Sequence, residues 1–330
     1  MHSLFKVAVL ASALTASALT LAADNYKVLD LAPADGSFVW SGAPALNIKG
    51  QVAGVGTLPN GDWHAVATGP NGKGATDLGT LINHQYSQAL GINQHGVVVG
   101  LSMPPNKSYA QCLVDDAGQK YQWRAGKYGM DTCTAINDGG TPVGVGNFRK
   151  YKGVKAGFWN HQSMGPGVQP VAVNNKDMVA GTFEGQAFIT DPRAKNLRKL
   201  GKLHGDSSSA TAMDKTGRVV GSVLRGNVPQ AFVTDAAGAN MRAIDLGGIA
   251  SRSQALGISD KGLVVGTFRS LNTGEEIAFL ATAPDFTMVD LNTLVVMPDG
   301  VTARSALNVN AKGQITVQGS NDHFYLLTPR

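Results

Sequence analysis

One short motif occurs seven times between residues 46 and 318. Each copy has an apolar residue, then Asn, Asp or Ser, two variable positions, Gly, and an apolar run that usually ends in Gly, as in Ala89–Gly100. A period of about 44 residues without helical periodicity is typical of a four-stranded propeller blade, so this motif constrains the fold most strongly. The apolar residue before the Asn-type position is found at Leu46, Ile92, Ile136, Val173, Met213, Ile258 and Val309.

Each repeat divides into four predicted strands. Between the first and second strands, the Asn side chain can accept backbone hydrogen bonds and Gly96 supplies a positive φ, so the two residues close a hairpin. The fourth copy has Asp177 at the Gly position, and Asp tolerates this conformation. The third strand carries a small, an aromatic and an aliphatic residue, as in Ala187–Ile189, and the fourth carries Asp-Leu-Gly, as in Asp77–Gly79 and Asp245–Gly247.

The two ends of the chain predict how the ring closes. The last repeat stops at a third strand, His323–Leu327, and the missing fourth-strand segment stands near the other terminus as Val28–Leu31. Pairing of these two segments would leave no open sheet edge. We therefore expect an all-β, seven-bladed β-propeller of four-stranded antiparallel blades, forming a single domain over residues 24–330.

The first 23 residues read as a secretory signal peptide. A weakly basic start precedes the apolar and small-residue run Val7–Leu21, and Ala22-Ala23 offers a cleavage site before Asp24. An uncleaved anchor is the alternative, but the run is shorter than the roughly 20 apolar residues that span a bilayer. We expect export to the periplasm or beyond, without integral membrane association.

The cysteine count, the net charge and the absence of ligand motifs restrict the disulfides, partners and cofactors that we expect. An exported chain with only two cysteines, Cys112 and Cys133, favours one disulfide over two buried thiols. The formal net charge of +5 is too small to indicate nucleic acid. No phosphate-binding glycine loop, paired-His spacing or calcium loop occurs, so we expect no cofactor and no metal. We also expect a monomer.

The repeated motifs resemble the bacterial extracellular HAF-repeat family, named for His-Ala-Phe followed by an aliphatic residue. Its units also carry the Asn-x-x-Gly hairpin and an Asp-Leu-Gly segment, and the match covers residues 27 to 330. The naming His is kept at His64, whereas Gln186, Gln230 and Ile277 replace it in three other units. The resemblance implies a secreted, propeller-like protein and no general activity.

Candidate functional residues are the polar residues that do not recur. The recurring Asn and Asp residues, among them Asn93, Asn137, Asn310, Asp77 and Asp245, are interpreted as a circle of turn residues. In a propeller, the loops that enter each blade and those between its second and third strands share one face. The candidate binding residues on these loops are His84, Tyr86, Arg149, Lys152, His204, Asp206, Arg225, Arg252 and Arg269.

Two functions remain open at this point. The first is a non-catalytic secreted protein that binds a surface glycan, an anionic polymer or a protein through one face, since no convergent catalytic set is evident. The second is a hydrolase or lyase that uses His84 or His204 as a base at the channel mouth. Ordinary solvated loop residues are the structural alternative for every one of these side chains.

Overall fold

A computed structural model describes residues 24–42, 45–125, 128–147 and 155–330. Its strands form seven antiparallel sheets arranged as a seven-bladed β-propeller, which confirms the predicted fold class. The predicted signal peptide, residues 1–23, lies outside the described residues. Among the residues that are described, no helix is long and apolar enough to cross a membrane.

Blades 1 to 3 follow one another along the chain after strand β1 (Tyr26–Asp30). Blade 1 has a first strand in two pieces, and a further two-stranded ribbon follows blade 2. Their strands are β2 (Val39–Trp40), β3 (Ala45–Leu46), β4 (Val52–Thr57), β5 (Trp63–Ala67) and β6 (Thr76–Gly79) in blade 1; β7 (Tyr86–Ile92), β8 (Val98–Met103), β9 (Gln111–Asp116) and β10 (Gln119–Gln122) in blade 2; β11 (Arg124–Ala125) and β12 (Tyr128–Gly129) in the ribbon; and β13 (Thr132–Ile136), β14 (Pro142–Asn147), β15 (Lys155–Trp159) and β16 (Gln162–Pro166) in blade 3.

Blades 4 to 7 complete the ring. Their strands are β17 (Gln169–Val173), β18 (Val179–Phe183), β19 (Gln186–Asp191) and β20 (Lys195–Lys199) in blade 4; β21 (Ser207–Met213), β22 (Val219–Arg225), β23 (Val228–Val233) and β24 (Arg242–Ala243) in blade 5; β25 (Ala250–Ile258), β26 (Leu263–Ser270), β27 (Glu276–Thr282) and β28 (Met288–Asp290) in blade 6; and β29 (Ala303–Val309), β30 (Ile315–Gly319) and β31 (Phe324–Pro329), with β1, in blade 7. Single 3-10 turns are Pro70–Gly72, Pro192–Ala194, Ala236–Gly238 and Leu291–Thr293.

The N-terminal strand closes the ring, as the sequence predicts. β1 is the fourth strand of blade 7 and pairs antiparallel with β31, from Tyr26 opposite Pro329 to Asp30 opposite Tyr325. The two ends of the chain therefore supply one blade between them, and this pairing removes the edge that an open array would expose.

The hairpin between the first and second strands has the predicted turn chemistry. In blade 2, the Asn93 side-chain oxygen accepts hydrogen bonds from the backbone amides of His95 and Val97, each at 3.0 Å. Gly96 has a φ of +96°, and Asp177 takes the equivalent place in blade 4 with a φ of +57°. The one departure from Gly in the motif thus keeps the same backbone conformation.

The Gly that ends each apolar run has a separate cause. The first strand of blade 2 has a bulge between Ala89 and Gly91, opposite Gly100. A Cβ atom on Gly100 would lie 1.8 Å from the carbonyl oxygen of Gln88, so no side chain fits there. The same close approach, within 2.1 Å, occurs at Gly144, Gly181, Gly221 and Gly266.

Small residues pack between neighbouring blades. Ala65 on the third strand of blade 1 and Ala89 on the first strand of blade 2 are fully buried in one cluster. Cys112 and Cys133 occupy the equivalent positions between blades 2 and 3 and form the predicted disulfide, with Cα atoms 5.1 Å apart. The disulfide therefore replaces an apolar contact that other interfaces make with two alanines.

Candidate functional site

The propeller has two chemically different ends. Antiparallel pairing places the turns between first and second strands, and between third and fourth strands, at one end, which we call the turn end. The turns between second and third strands, and the connections from one blade to the next, lie at the opposite end, the loop end. Seven of the nine candidate binding residues belong to loop-end segments, and the other two, Arg149 and Lys152, lie outside the described residues.

The central channel opens at the turn end into a cavity of about 500 Å³. All seven blades contribute to its wall. Each supplies residues from its copy of the motif: the apolar residue, the Asn-type residue or the residue after the Asn-type residue. Lining residues from the seven blades include Leu46, Ile92, Asn93, Ile136, Asn137, Val173, Asn174, Met213, Asp214, Ile258, Ser259, Val309 and Asn310.

The Asn-type residues bond to one another around this cavity. The side-chain amide of Asn93 donates to the backbone carbonyl of Asn137 at 3.1 Å, and the amide of Asn310 donates to the carbonyl of Asn47 at 2.9 Å across the closure. Asp214 and Ser259 have no amide and interrupt the series. The circle is thus a structural ring whose polar atoms bond within the protein, as the sequence interpretation expects for the Asn residues.

Asp77 does not belong to that circle. It lies in β6, where its carboxylate bonds to Nδ1 of His64 at 2.8 Å, and Nε2 of His64 reaches the Gln85 carbonyl at 3.2 Å. His323 makes the same contact with Asp30 at 2.8 Å in blade 7. His323 therefore occupies in blade 7 the position that His64 has in blade 1, which the sequence motif did not indicate.

His84 lies half-buried on the connection that enters blade 2. Its Nδ1 atom is 3.0 Å from the hydroxyl of Ser102, which donates its single proton to the Tyr86 carbonyl at 2.9 Å. Nδ1 must therefore carry the ring proton, and Nε2 is the unprotonated nitrogen. Burial lowers the pKa of His84 and so favours the neutral ring, and a backbone hydrogen bond with Ser102 has a smaller, opposing effect.

This pair is not a nucleophile and its base. Ser102 is fully buried, and its hydroxyl already donates to a backbone carbonyl. Tyr86, the other candidate residue here, stacks on Trp63 with ring centroids 5.1 Å apart. These contacts are enough to fix the connection between blades 1 and 2.

The remaining candidates lie around blades 5 and 6. The Asp206 amide donates to the Leu224 carbonyl at 2.6 Å, and the Asp206 carboxylate accepts from the Gly226 amide at 2.6 Å. Asp206 therefore holds the turn that carries Arg225. His204, two residues earlier, is exposed and has a φ of +65°.

Arg225 and Arg252 line one groove between blades 5 and 6, with a volume of about 300 Å³. Its other lining residues are Val228, Pro229, Gln230, Leu246 and Ser251, so the groove contains two guanidinium groups and no carboxylate. Arg252 bonds through Nε to Glu276 at 3.1 Å, outside the lining. Arg269 lies beside them, in register with Arg252 on one side and Glu276 on the other.

The groove lies where blade 5 departs from the repeat. Its fourth strand, β24, ends at Ala243, and Asp245 instead makes an isolated parallel bridge with Thr287 of blade 6. The expectation that Asp245–Gly247 is a fourth-strand segment is therefore wrong, because β24 ends before these residues. Asp245 accepts from the Gly247 amide at 3.0 Å, as Asp77 does from the Gly79 amide at 2.6 Å. Gln230 occupies the position that His64 has in blade 1.

The structure divides the candidate residues into two groups. His84 and Tyr86 lie at blade 2, whereas His204, Asp206, Arg225, Arg252 and Arg269 lie around blades 5 and 6. Within the described ranges, no group of three or more His, Cys, Asp or Glu side chains is placed to bind a metal ion. Sequence reasoning missed Gln230 and Ser251, although the replacement of His by Gln in the motif was a visible signal.

No protein-family model and no curated protein sequence matches the chain. Solved structures match it in fold. They include an oligogalacturonate lyase in complex with manganese (12% identity, 92% of this chain and 93% of that chain, TM-score 0.57), an acylaminoacyl peptidase from Pyrococcus horikoshii (12%, 90% and 52%, 0.56) and a chain of the mitotic checkpoint complex (10%, 99% and 98%, 0.56). Such low identities, in proteins of such different function, show a shared propeller fold and no more.

Proposed function

We propose that this chain is an exported, non-catalytic protein of the HAF-repeat type that binds an anionic ligand at its loop end. The observation that carries the proposal is the groove between blades 5 and 6, whose lining includes Arg225 and Arg252, with Glu276 paired to Arg252. Guanidinium groups bind carboxylate, sulfate or phosphate oxygens through paired, charge-assisted hydrogen bonds. The anionic group would belong to a surface polymer or to a protein outside the inner membrane.

Both arginines are held before any ligand arrives. Glu276 bonds to the Arg252 guanidinium, and Asp206 fixes the turn that carries Arg225 through two backbone contacts. Holding the groups in place lowers the entropy lost on binding. The blades beneath these arginines form a rigid scaffold, because each sheet packs against two neighbouring sheets.

Calorimetric titration with anionic polymers and with purified envelope proteins tests this function. Arg225→Ala and Arg252→Ala should each weaken binding by about 10- to 100-fold, because each removes hydrogen bonds to a charged group. Arg304→Ala is the matched control, since Arg304 is exposed at the same end but pairs with Asp322 in blade 7. Equal losses in all three variants would mean that the groove is not the site.

A second candidate is a hydrolase or lyase with His84 as its base. It is favoured by one observation, the half-buried, neutral ring that leaves Nε2 unprotonated. Turnover of any polymer in the panel should then fall by about 100-fold or more in His84→Ala, since general-base catalysis contributes that much. Full turnover in a double His84→Ala, His204→Ala variant would reject the loop histidines as the catalytic base.

A further inference from the structure

We infer that the ligand of the groove is a protein segment that combines acidic with aliphatic side chains. This inference rests on the proposed function, because it names the class of ligand for the same groove. It comes from the apolar residues around the two arginines, which an anionic polymer alone would leave exposed to water.

Aliphatic side chains are exposed on both sides of the groove. Val228 lines it and is 51% exposed, and Leu224, opposite Pro229 in the same hairpin, is 38% exposed. On the blade 6 side, Leu271 is 59% exposed, and its amide donates to the Ile249 carbonyl at 2.9 Å. Ile249 lies between two lining residues in sequence, so Leu271 lies at the other edge of the groove.

The turn end and the loop end of the propeller differ in their exposed hydrophobic side chains. Among the described residues, none of the large hydrophobic side chains that are exposed belongs to a turn of the turn end. Val39, Ile82 and Val296 are exposed elsewhere, but Leu224, Val228 and Leu271 form a group beside charged side chains, and such a group indicates a surface that a partner covers. Burying such area contributes about 25 cal/mol per Å², in addition to the charge contacts.

Aromatic content separates a protein ligand from a polysaccharide. No Trp or Tyr occurs between residues 160 and 324, so blades 4 to 6 offer no indole or phenol ring for a sugar to stack on. The nearby phenylalanines, Phe232, Phe268 and Phe286, are buried. Aliphatic residues around arginine are instead the composition of a protein interface, in which Arg provides anchoring contacts at an apolar centre.

Charge complementarity sets the acidic part of the partner. The lining includes two arginines and no acidic residue, and Glu276 already pairs with Arg252, so Asp or Glu side chains of the segment would bind at Arg225. Leu, Ile or Val residues next to these acids would cover Val228 and Leu271. A segment of a few residues spans such a groove, because an extended chain advances about 3.3 Å per residue.

Selection of a random dodecapeptide library on the full-length protein tests the inference. Enriched peptides should place Asp or Glu within three positions of Leu, Ile or Val, and a synthetic copy should bind. Arg225→Ala should weaken this peptide at least tenfold, and the double variant Val228→Ser, Leu271→Ser at least fivefold. Val289→Ser is the matched control, because Val289 is exposed on the fourth strand of blade 6 and should leave the affinity unchanged.

Polygalacturonate, an acidic polysaccharide without aliphatic side chains, provides the second arm. Binding of polygalacturonate that depends on Arg225, with no enriched peptide, would overturn the inference and leave the proposed function standing. Binding of neither probe would overturn both. A selected peptide whose affinity does not change in the Val228→Ser, Leu271→Ser variant would also overturn the inference, since its apolar contacts would then lie elsewhere.

Discussion

The turn end and the loop end are built from the same seven repeats but use their polar groups in opposite ways. At the turn end, equivalent residues share one backbone conformation, and the Asn side chains bond from blade to blade. At the loop end, the connections differ in length and composition, and Arg225 and Arg252 face a groove. Repetition therefore marks polar groups that the protein itself satisfies, whereas the proposed ligand groove lies where the repeat is interrupted.

The largest effect should follow from a side chain at the bulge where blades 2 to 6 each have Gly. Gly100→Ala places a Cβ against the Gln88 carbonyl and should lower the free energy of unfolding by about 3 kcal/mol, as overpacking does. Gly139→Ala is the control, because its nearest neighbour would be the Asn137 side-chain oxygen at 3.4 Å. Urea denaturation measures both, and equal midpoints would contradict the close approach.

The disulfide should come next. Replacing Cys112 and Cys133 together by alanine recreates the apolar contact of another interface but removes the cross-link, so we expect the free energy of unfolding to fall by about 3 kcal/mol on the chain-entropy estimate.

The reverse experiment tests the equivalence of the two interfaces: Ala65→Cys with Ala89→Cys should form a second disulfide, between blades 1 and 2. Mass spectrometry would detect it, and two free thiols after oxidation would show that the positions are not equivalent.

A smaller loss is expected from one link of the ring at the turn end. Asn93→Ala removes the donor to the Asn137 carbonyl and leaves the His95 and Val97 amides without their acceptor, which should cost about 2 kcal/mol. Ser259→Asn supplies an amide where the series is interrupted and should stabilise by at most about 1 kcal/mol. Thermal unfolding that is unchanged in both variants would mean that the ring contributes nothing.

The smallest effect should be a pH dependence from the loop end. Burial lowers the pKa of His84, whereas the unfolded chain keeps a value of about 6.5. Below that value the unfolded state binds more protons, so the free energy of unfolding should fall on acidification from about pH 6.5 downward. His84→Gln should flatten this part of the pH profile, and an unchanged slope would assign it to another group.

Blade number, closure and turn conformation could be predicted because the sequence encodes them locally. The Asn and Gly of each hairpin define one turn, and the period of about 44 residues between copies is long enough for four strands. Even the departure at Asp177 was predictable, since few other residues tolerate its φ of +57°. The equivalence of His323 with His64 was not recognised because Phe324 replaces the expected Ala.

The groove could not be predicted because two segments of identical sequence adopt different secondary structure. Asp77–Gly79 and Asp245–Gly247 are both Asp-Leu-Gly, and in both the Asp carboxylate accepts from the Gly amide, yet the first lies in a strand and the second follows the end of one. Asp77 has His64 on the neighbouring strand to bond with, whereas blade 5 has Gln230 at that position and its fourth strand ends at Ala243. Which outcome occurs depends on partners about 13 to 15 residues away, and the motif does not include them.

The ring closure also decides how the molecule can be attached to something else. β1 begins opposite Pro329, and the Arg330 amide donates to the Asn25 carbonyl at 3.0 Å, so residues 25 and 330 lie side by side at the turn end. A fluorescent tag, a surface linker or a fusion partner joined at either of these positions would therefore point away from the groove. An immobilised sample should present Arg225 and Arg252 to the solution, and a circular permutant that joins the two residues should keep all seven blades.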